Sequence, residues 1–388
     1  MYNKRVVFWS ACMGMLLFGI ALITLGSIAP GLKVKLDLDE IKAGILFSIL
    51  PLGILSGSLL FGPLVDRFGY RILLFVSCLL LSAGFEGVAF TSSHWFIKIC
   101  VFLIGLSGGA INGATNAMVS DISVNGKTAN ISLLGVFFGI GALGMPLVLG
   151  ILSRTLSFEK ILAVVGILSF IAGIIYAFIK LPPSKITQNL PFKGIIALFK
   201  DKMLILIAAF LFFQSSYEGI INNWTTTYLN VHLGIEQDVA LYGLSLYVAG
   251  MVIMRLITGT ILRNLPVKNL LVASFVFLLL GLLFIWSGFD DAVAMAGFML
   301  LGAGLAGGFP VMLGITGERY ADISGTAFSF VLVFALLGNM ILNYGMGIIS
   351  QEFGISHLVT VVFVETLIMM MLCILILKRR KYVSKTMA

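Results

Sequence analysis

The stretch Gly62-Pro-Leu64-Val-Asp66-Arg67-Phe-Gly69-Tyr-Arg71 is a short charged loop between two long apolar runs. The chain around it has 388 residues, of which 60% are hydrophobic and only 11% are charged. Soluble proteins are roughly half apolar and a quarter charged, so this composition excludes an ordinary soluble globule. The apolar runs repeatedly approach the roughly 20 residues that a helix needs to cross a bilayer. The sequence therefore predicts an all-α polytopic membrane protein.

Breaks at charged residues, glycines and prolines divide the apolar sequence into twelve candidate spans. Runs such as 6–28 and 270–288 are apolar on all faces, which indicates helices and not the alternating strands of a barrel. The predicted spans are 7–30, 42–63, 71–90, 96–120, 129–152, 160–181, 203–229, 239–262, 268–288, 293–317, 324–350 and 356–378.

Lysine and arginine concentrate in alternate loops, in the segment from Lys180 to Lys202 and in the C-terminal tail. The positive-inside rule then places both termini in the cytoplasm. The net charge of +8 is thus topological information, and nucleic-acid binding is not expected. We expect an integral protein of the bacterial inner membrane, surrounded by lipid and monomeric.

Nothing in the sequence indicates an enzyme, a metal site or a cofactor. No nucleophile–base grouping is evident. The four cysteines lie inside apolar segments without C-x-x-C spacing, so we expect them to be buried thiols and not disulfides or ligands: Cys12, Cys78, Cys100 and Cys373.

The twelve spans divide into two halves. The polar, proline-containing segment 182–202 is predicted to link an N-terminal six-helix bundle (1–181) to a C-terminal bundle with a cytoplasmic tail (203–388). The pentapeptide Gly105-Leu-Ser-Gly-Gly109 in the fourth span recurs as Gly304-Leu-Ala-Gly-Gly308 in the tenth. Parallel six-helix repeats of this kind are the architecture of one large class of transporters.

The loop 62–71 matches G-x-L-x-D-R-x-G-x-R and resembles the signature of the major facilitator superfamily. The resemblance implies two six-helix bundles around a central cavity, and alternating access for a solute. Gly62 permits close helix approach, Asp66 can accept bonds from helix-end amides, and Arg67 and Arg71 can pair with carboxylates. We expect these residues and Gly69 to latch the cytoplasmic side, although the charges could simply end helices and set topology.

Further gating residues follow from the same resemblance. The superfamily pairs this loop with an acid at the end of the fourth span, where Asp121 stands, and Glu318 is its counterpart in the tenth span. Arg255, four residues before Gly259, matches a recurring Arg-x-x-x-Gly pattern. We expect Arg255 to pair with Glu318 in a gate, with solute binding as the second interpretation.

The seventh span carries the polar segment Gln214-Ser-Ser-Tyr217-Glu218-Gly-Ile-Ile-Asn222-Asn223-Trp224. Gln214, Glu218 and Asn222 follow i, i+4, i+8 spacing and form one stripe. An ionisable group within the hydrocarbon is expensive, so the stripe is predicted to face a hydrated cavity, with Gly219 allowing the helix to bend there.

Amides and a carboxylate beside aromatic rings are suited to a sugar, whose hydroxyls need paired donors and acceptors. The predicted solute ligands are therefore polar or aromatic residues of three spans: Gln214, Tyr217, Glu218, Asn222, Asn223, Trp224, Asn112, Asn116, Asn339 and Asn343. The asparagine pairs of the fourth and eleventh spans could instead join helices within the membrane.

Glu218 is also the predicted proton carrier, because a midplane carboxyl can take up a proton on one side and release it on the other. Sodium could use similar oxygens, and Glu218 could be a permanently protonated structural group. Tyr217-Glu218-Gly, with Asn223-Trp224, resembles the seventh span of the fucose–galactose–glucose proton symporters. The first-span acid of that branch has no evident equivalent here.

We therefore predict a secondary transporter that takes up a small polar solute, a sugar or sugar derivative, with protons. Two other interpretations stay open. The glycine- and proline-containing fifth span, around Gly139 to Pro146, is compatible with a proton-coupled drug or metabolite exporter. Arg255 is compatible with an organic-anion transporter.

Overall fold

A computed structural model of the protein describes residues 2–122, 127–183, 200–260, 265–287, 290–320 and 324–386. All regular structure in these ranges is helical, and eleven helical segments are long and apolar enough to cross a membrane. The helices are α1 (Lys4–Leu36), α2 (Glu40–Phe90), α3 (His94–Ile122), α4 (Lys127–Leu152), α5 (Phe158–Phe178), α6 (Lys202–Thr227), α7 (Gln237–Thr260), α8 (Val267–Ser287), α9 (Asp291–Leu305), α10 (Gly308–Arg319), α11 (Ser324–Phe353) and α12 (Leu358–Thr386).

Helix α2 contains both the second and the third predicted spans. It has 51 residues, about 77 Å at 1.5 Å per residue, which is more than twice the thickness of the hydrocarbon core. The helical backbone is interrupted at Gly69, with φ 75° and ψ 165°, a conformation that is essentially restricted to glycine. The eleven segments therefore account for twelve crossings, and the all-α twelve-span prediction is confirmed.

The tenth predicted span is divided into α9 and α10 at the repeated pentapeptide. The Leu305 carbonyl at the end of α9 accepts a hydrogen bond from Gln214 Nε2 at 2.9 Å. The matching pentapeptide of the fourth span lies inside the continuous helix α3.

The prediction of a bend at Gly219 is wrong, because α6 is continuous there; Gly219 instead packs against the Asn339 side chain.

The chain divides into two compact units. One comprises Met1–Gln188 and Glu236–Ser245, and the other comprises Asn189–Ile235 and Leu246–Ala388. Residues 184–199 of the predicted linker lie outside the described ranges, and the division into domains 1–181 and 203–388 stays a prediction.

Glycines permit close helix packing within the first unit. Gly53 and Gly57 of α2 lie against the α3 backbone near Leu106, and Gly105 of α3 lies against Leu50 of α2, so a side chain at any of these positions would collide with backbone atoms. The same unit contains an ion pair between the residues after α4 and the start of α7. Arg154 Nε, just after α4, donates to Asp238 Oδ2 in the first turn of α7 at 2.7 Å.

In the second unit α6 packs against α11 and α12. Asp201 caps the start of α6 by accepting bonds from the Met203 and Leu204 amides at 2.7 and 3.3 Å, and it pairs with Arg319 at 3.2 Å. Burial alone would raise the pKa of Asp201. Hydrogen bonds from Tyr320, the helix amides and Arg319 outweigh burial, so the pKa lies below its usual value.

Candidate functional site

The polar residues of α6 differ in exposure according to the side of the helix on which they lie. Gln214 and Asn223 are buried, whereas the Glu218 side chain is 23% exposed and Asn222 is half-buried. The predicted stripe is therefore only partly accessible. Its accessible part consists of Glu218 and Asn222, one helical turn apart on the same face.

Glu218 pairs with Arg255 of α7. The distance from Glu218 Oε1 to an Arg255 guanidinium nitrogen is 3.9 Å, too long for a hydrogen bond. Both Glu218 Oε1 and Arg255 Nε are buried without a hydrogen-bond partner among the described residues. The Arg255 side chain is 36% exposed, so this is a loosely held ion pair that a ligand can approach.

This contact changes the assignment of Arg255. The sequence suggested a pair between Arg255 and Glu318, but the structure places Arg255 beside Glu218, while Glu318 is exposed near the end of α10. Arg255 thus belongs with the candidate solute site. The sequence could not identify the contact, because the two partners are 37 residues apart on different helices.

Two buried polar groups border the ion pair. Gln214 Oε1 has no hydrogen-bond partner in the described part of the chain, although its Nε2 is bonded to Leu305. The Tyr247 hydroxyl is also buried without a partner there, and it interacts electrostatically with Glu218 and Arg255. Tyr247 was missed by the sequence interpretation; its i, i+8 spacing from Arg255 on α7 was the available signal.

Three predicted solute ligands instead join α6 to α11. Asn223 Nδ2 donates to Asn343 Oδ1 at 3.0 Å, Asn343 Nδ2 donates to Asn339 Oδ1 at 2.9 Å, and Asn339 Nδ2 donates to the Ser215 carbonyl at 3.0 Å. Asn343 is fully buried and Asn223 is 4% exposed. These bonds favour the helix-packing interpretation of Asn223, Asn339 and Asn343, and their role as solute ligands stays a prediction.

The aromatic residues predicted to contact a sugar are core residues. Tyr217 and Trp224 are both 0% exposed, so neither ring presents a face to a solute. Beside them, Ser216 donates a 2.5 Å hydrogen bond to Glu365 of α12, which is 3% exposed. This side of α6 holds the helix in its bundle.

In the first unit, Asn112 and Asn116 remain half-buried on α3. Asn116 Nδ2 donates to the Asn112 carbonyl and to its Oδ1, both at 2.9 Å, and lies 3.9 Å from Met15 Sδ on α1. Their partial exposure is compatible with the predicted role in solute binding.

The predicted gating loop has one contact that the sequence did not indicate. The Tyr70 hydroxyl, and not Arg67 or Arg71, donates to Asp121 Oδ2 at 2.8 Å. The Arg67 guanidinium lies 5.2 Å from the Phe68 ring centre, and Arg71 is exposed. We therefore correct the arginine pairing with Asp121 to a tyrosine hydrogen bond.

The other residues of the loop 62–71 differ in their exposure. Gly62 is buried inside α2, as close helix packing requires, while Asp66 is exposed and Gly69 forms the break described above.

The fold and the intramembrane ion pair together define a polytopic helical membrane protein with a charged site inside its spans. The sequence of residues 11–295 matches the family model of the Major Facilitator Superfamily, and the chain belongs to this superfamily. It is therefore a transporter of small solutes and not an enzyme.

Several curated transporters are similar to the chain. The cis,cis-muconate transport protein of Acinetobacter baylyi is 25% identical over 66% of this chain and 66% of its own length. The glucose/mannose transporter GlcP of Bacillus subtilis is 24% identical over 85% of this chain and 84% of its own length.

Solved structures of transporters share the fold. The nucleoside transporter NupG superposes with a TM-score of 0.78 at 16% identity, over 98% of this chain and 100% of that one. A D-xylose-proton symporter superposes with a TM-score of 0.79 at 14% identity, over 96% and 97% of the two chains.

Proposed function

We propose that the protein takes up a sugar or sugar derivative together with protons by alternating access. The observation that carries this proposal is the partly exposed edge of α6, where Glu218 lies beside Arg255 and Asn222 is one turn away. Similarity to a glucose/mannose transporter and to the fold of a D-xylose-proton symporter supports the solute class and the coupling ion.

In this proposal each accessible residue has a separate role. Glu218 carries the proton, and Arg255 lies beside its carboxylate. Asn222 supplies both a donor and an acceptor to a hydroxyl. Asn112 and Asn116 are further proposed ligands.

The proposed latch of the cytoplasmic side consists of the loop 62–71 with Asp121, bonded through Tyr70. An inner-membrane location, cytoplasmic termini and a monomer complete the proposal. The distribution of lysine and arginine along the sequence supports the cytoplasmic position of the termini.

Uptake into proteoliposomes tests this function. Labelled sugars are supplied with and without an inwardly directed proton gradient, to wild type, Glu218→Gln and the control Glu352→Gln, which alters an exposed carboxylate. We expect the gradient to accelerate uptake by wild type and by the control but not by Glu218→Gln. Absence of uptake of labelled sugars and of labelled sugar derivatives such as D-glucuronate, or an unchanged gradient response in Glu218→Gln, would refute the proposal.

A further inference from the structure

We infer that the transported solute carries a carboxylate, which binds Arg255 in place of Glu218, so that the substrate is a sugar acid. This inference rests on the proposed function and specifies its substrate class. The geometry of the ion pair carries it, because that pair combines two opposite charges with incomplete hydrogen bonding.

The first step concerns Arg255. A guanidinium has five N–H donors in a planar fork, and it binds carboxylates best through two parallel hydrogen bonds. Here the contact with Glu218 is 3.9 Å long, and the buried Nε has no acceptor among the described residues. A buried donor without a partner is unfavourable, and 36% of the side chain is exposed. Arg255 is therefore poised to accept a second carboxylate.

The second step concerns charge. With Glu218 ionised, the pair is neutral overall. A solute carboxylate bound to Arg255 would leave two anions, the solute and Glu218, beside one cation. Two negative charges held next to the same guanidinium in a partly buried site repel each other strongly. Neutrality returns when Glu218 takes one proton. One anionic solute thus binds with one proton, and the occupied site carries the same net charge as the empty one.

The third step concerns the rest of the solute. Asn222 is half-buried one turn from Glu218, and the Gln214 Oε1 and Tyr247 hydroxyl oxygens are buried without hydrogen-bond partners in the described ranges. Of these groups only Asn222 is accessible, and its side-chain amide offers a donor and an acceptor to a solute hydroxyl. An apolar acid would leave the Asn222 amide without a solute partner, whereas a hydroxylated acid would bond to it.

The charge balance separates two substrate classes in the wild-type protein. A singly charged sugar acid that enters with one proton moves no net charge, so a membrane potential set with potassium and valinomycin should leave its uptake unchanged. A neutral sugar that enters with one proton moves one positive charge, so an inside-negative potential should accelerate uptake. The probes are labelled D-glucuronate and D-glucose in proteoliposomes.

We expect D-glucuronate uptake that a proton gradient accelerates and a potential does not. Arg255→Gln should lower this uptake about tenfold or more, the loss expected for a charge-assisted hydrogen bond, and Arg255→Lys should retain part of it. Arg5→Gln, which changes an exposed arginine, should behave as wild type. Size-exclusion profiles of the variants separate loss of binding from loss of folding, and the potential test needs no variant.

The outcomes separate the two proposals. Proton-driven uptake of D-glucose without D-glucuronate would overturn the inference and leave the proposed function in place. D-Glucuronate uptake that responds to the potential, or that a folded Arg255→Gln variant retains in full, would also overturn the inference. Failure of both probes to enter with protons would overturn the inference and the proposed function together.

Discussion

The replacement Asn343→Ala tests whether the asparagine network between α6 and α11 is structural. Asn343 accepts from Asn223 at 3.0 Å and donates to Asn339 at 2.9 Å, and it is fully buried. Alanine removes the interhelical bond from Asn223 and the bonds from Asn343 Nδ2 to the carbonyl and Oδ1 of Asn339 within α11, and it leaves the Asn223 amide without this partner. We therefore expect a less stable protein whose solute affinity is unchanged.

The expected magnitude follows from hydrogen bonds measured in other membrane proteins. Interhelical bonds contribute about 0.6 kcal/mol on average and at most about 1.7 kcal/mol. A buried polar group left unpaired costs about 1 to 3 kcal/mol. With one interhelical bond and the bonds to Asn339 lost, and the Asn223 amide left unpaired, the free energy of unfolding should fall by about 1 to 3 kcal/mol. The double variant with Asn223→Ala should show a coupling energy of about 0.6 to 1.7 kcal/mol between the two sites.

Reversible unfolding by sodium dodecyl sulfate in mixed micelles measures these free energies. Tyr344→Phe is the matched control, because Tyr344 is the next residue on α11 and is 42% exposed. It should change stability by less than about 0.5 kcal/mol. A comparably small loss for Asn343→Ala, absence of coupling to Asn223, or a large rise in KM with stability intact would refute the packing assignment and restore Asn343 as a solute ligand.

Three further changes probe the framework around the site. Gln214→Leu leaves the Leu305 carbonyl without its 2.9 Å bond and should lower the free energy of unfolding by about 1 to 3 kcal/mol, measured by the same titration. Asp201→Ala should cost about 1 kcal/mol by removing the cap of α6, while Asp201→Asn keeps the cap. Because the pKa of Asp201 is lowered in the folded protein, the stabilisation by its charge is present at neutral pH and is lost as the pH falls through that lowered value; Asp201→Asn should abolish this acid dependence in thermal unfolding. Gly69→Ala places a side chain at φ 75° and should cost about 1 to 3 kcal/mol, whereas Gly135→Ala, at an uncrowded helical position, should not destabilise.

The twelve spans could be predicted from sequence because hydropathy over about 20 residues reports directly on the bilayer. The residues of the loop 62–71 likewise indicate the superfamily from the sequence alone, because the pattern G-x-L-x-D-R-x-G-x-R does not depend on contacts between helices. Hydropathy could not show that helical structure extends through most of this loop, with one break at Gly69. Nor could it locate the break between α9 and α10, since the same pentapeptide is continuous in α3.

The site was less predictable, because spacing along one helix does not identify the neighbouring helix. Glu218 was recognisable as an ionisable group in an apolar span, but its partner Arg255 became visible only when α7 was positioned. The asparagines raised a different difficulty. Asn222 and Asn223 are adjacent in sequence but lie about 100° apart around the helix axis. Asn222 is therefore half-buried, whereas Asn223 is buried and donates a hydrogen bond to α11.

This division of α6 into two sides explains how one helix can hold a site and still move with its bundle. Ser216 and Asn223 bond to α12 and α11, which fixes the helix rotation and so fixes the direction of Glu218. Had these amides and hydroxyls been solute ligands, each transport cycle would break and remake the packing of the bundle. Replacements on the bonded side should therefore change stability more than solute selectivity, whereas replacements of Glu218 and Asn222 should change transport while stability stays near that of wild type. A folded, fully stable Ser216→Ala variant with altered selectivity would contradict this separation.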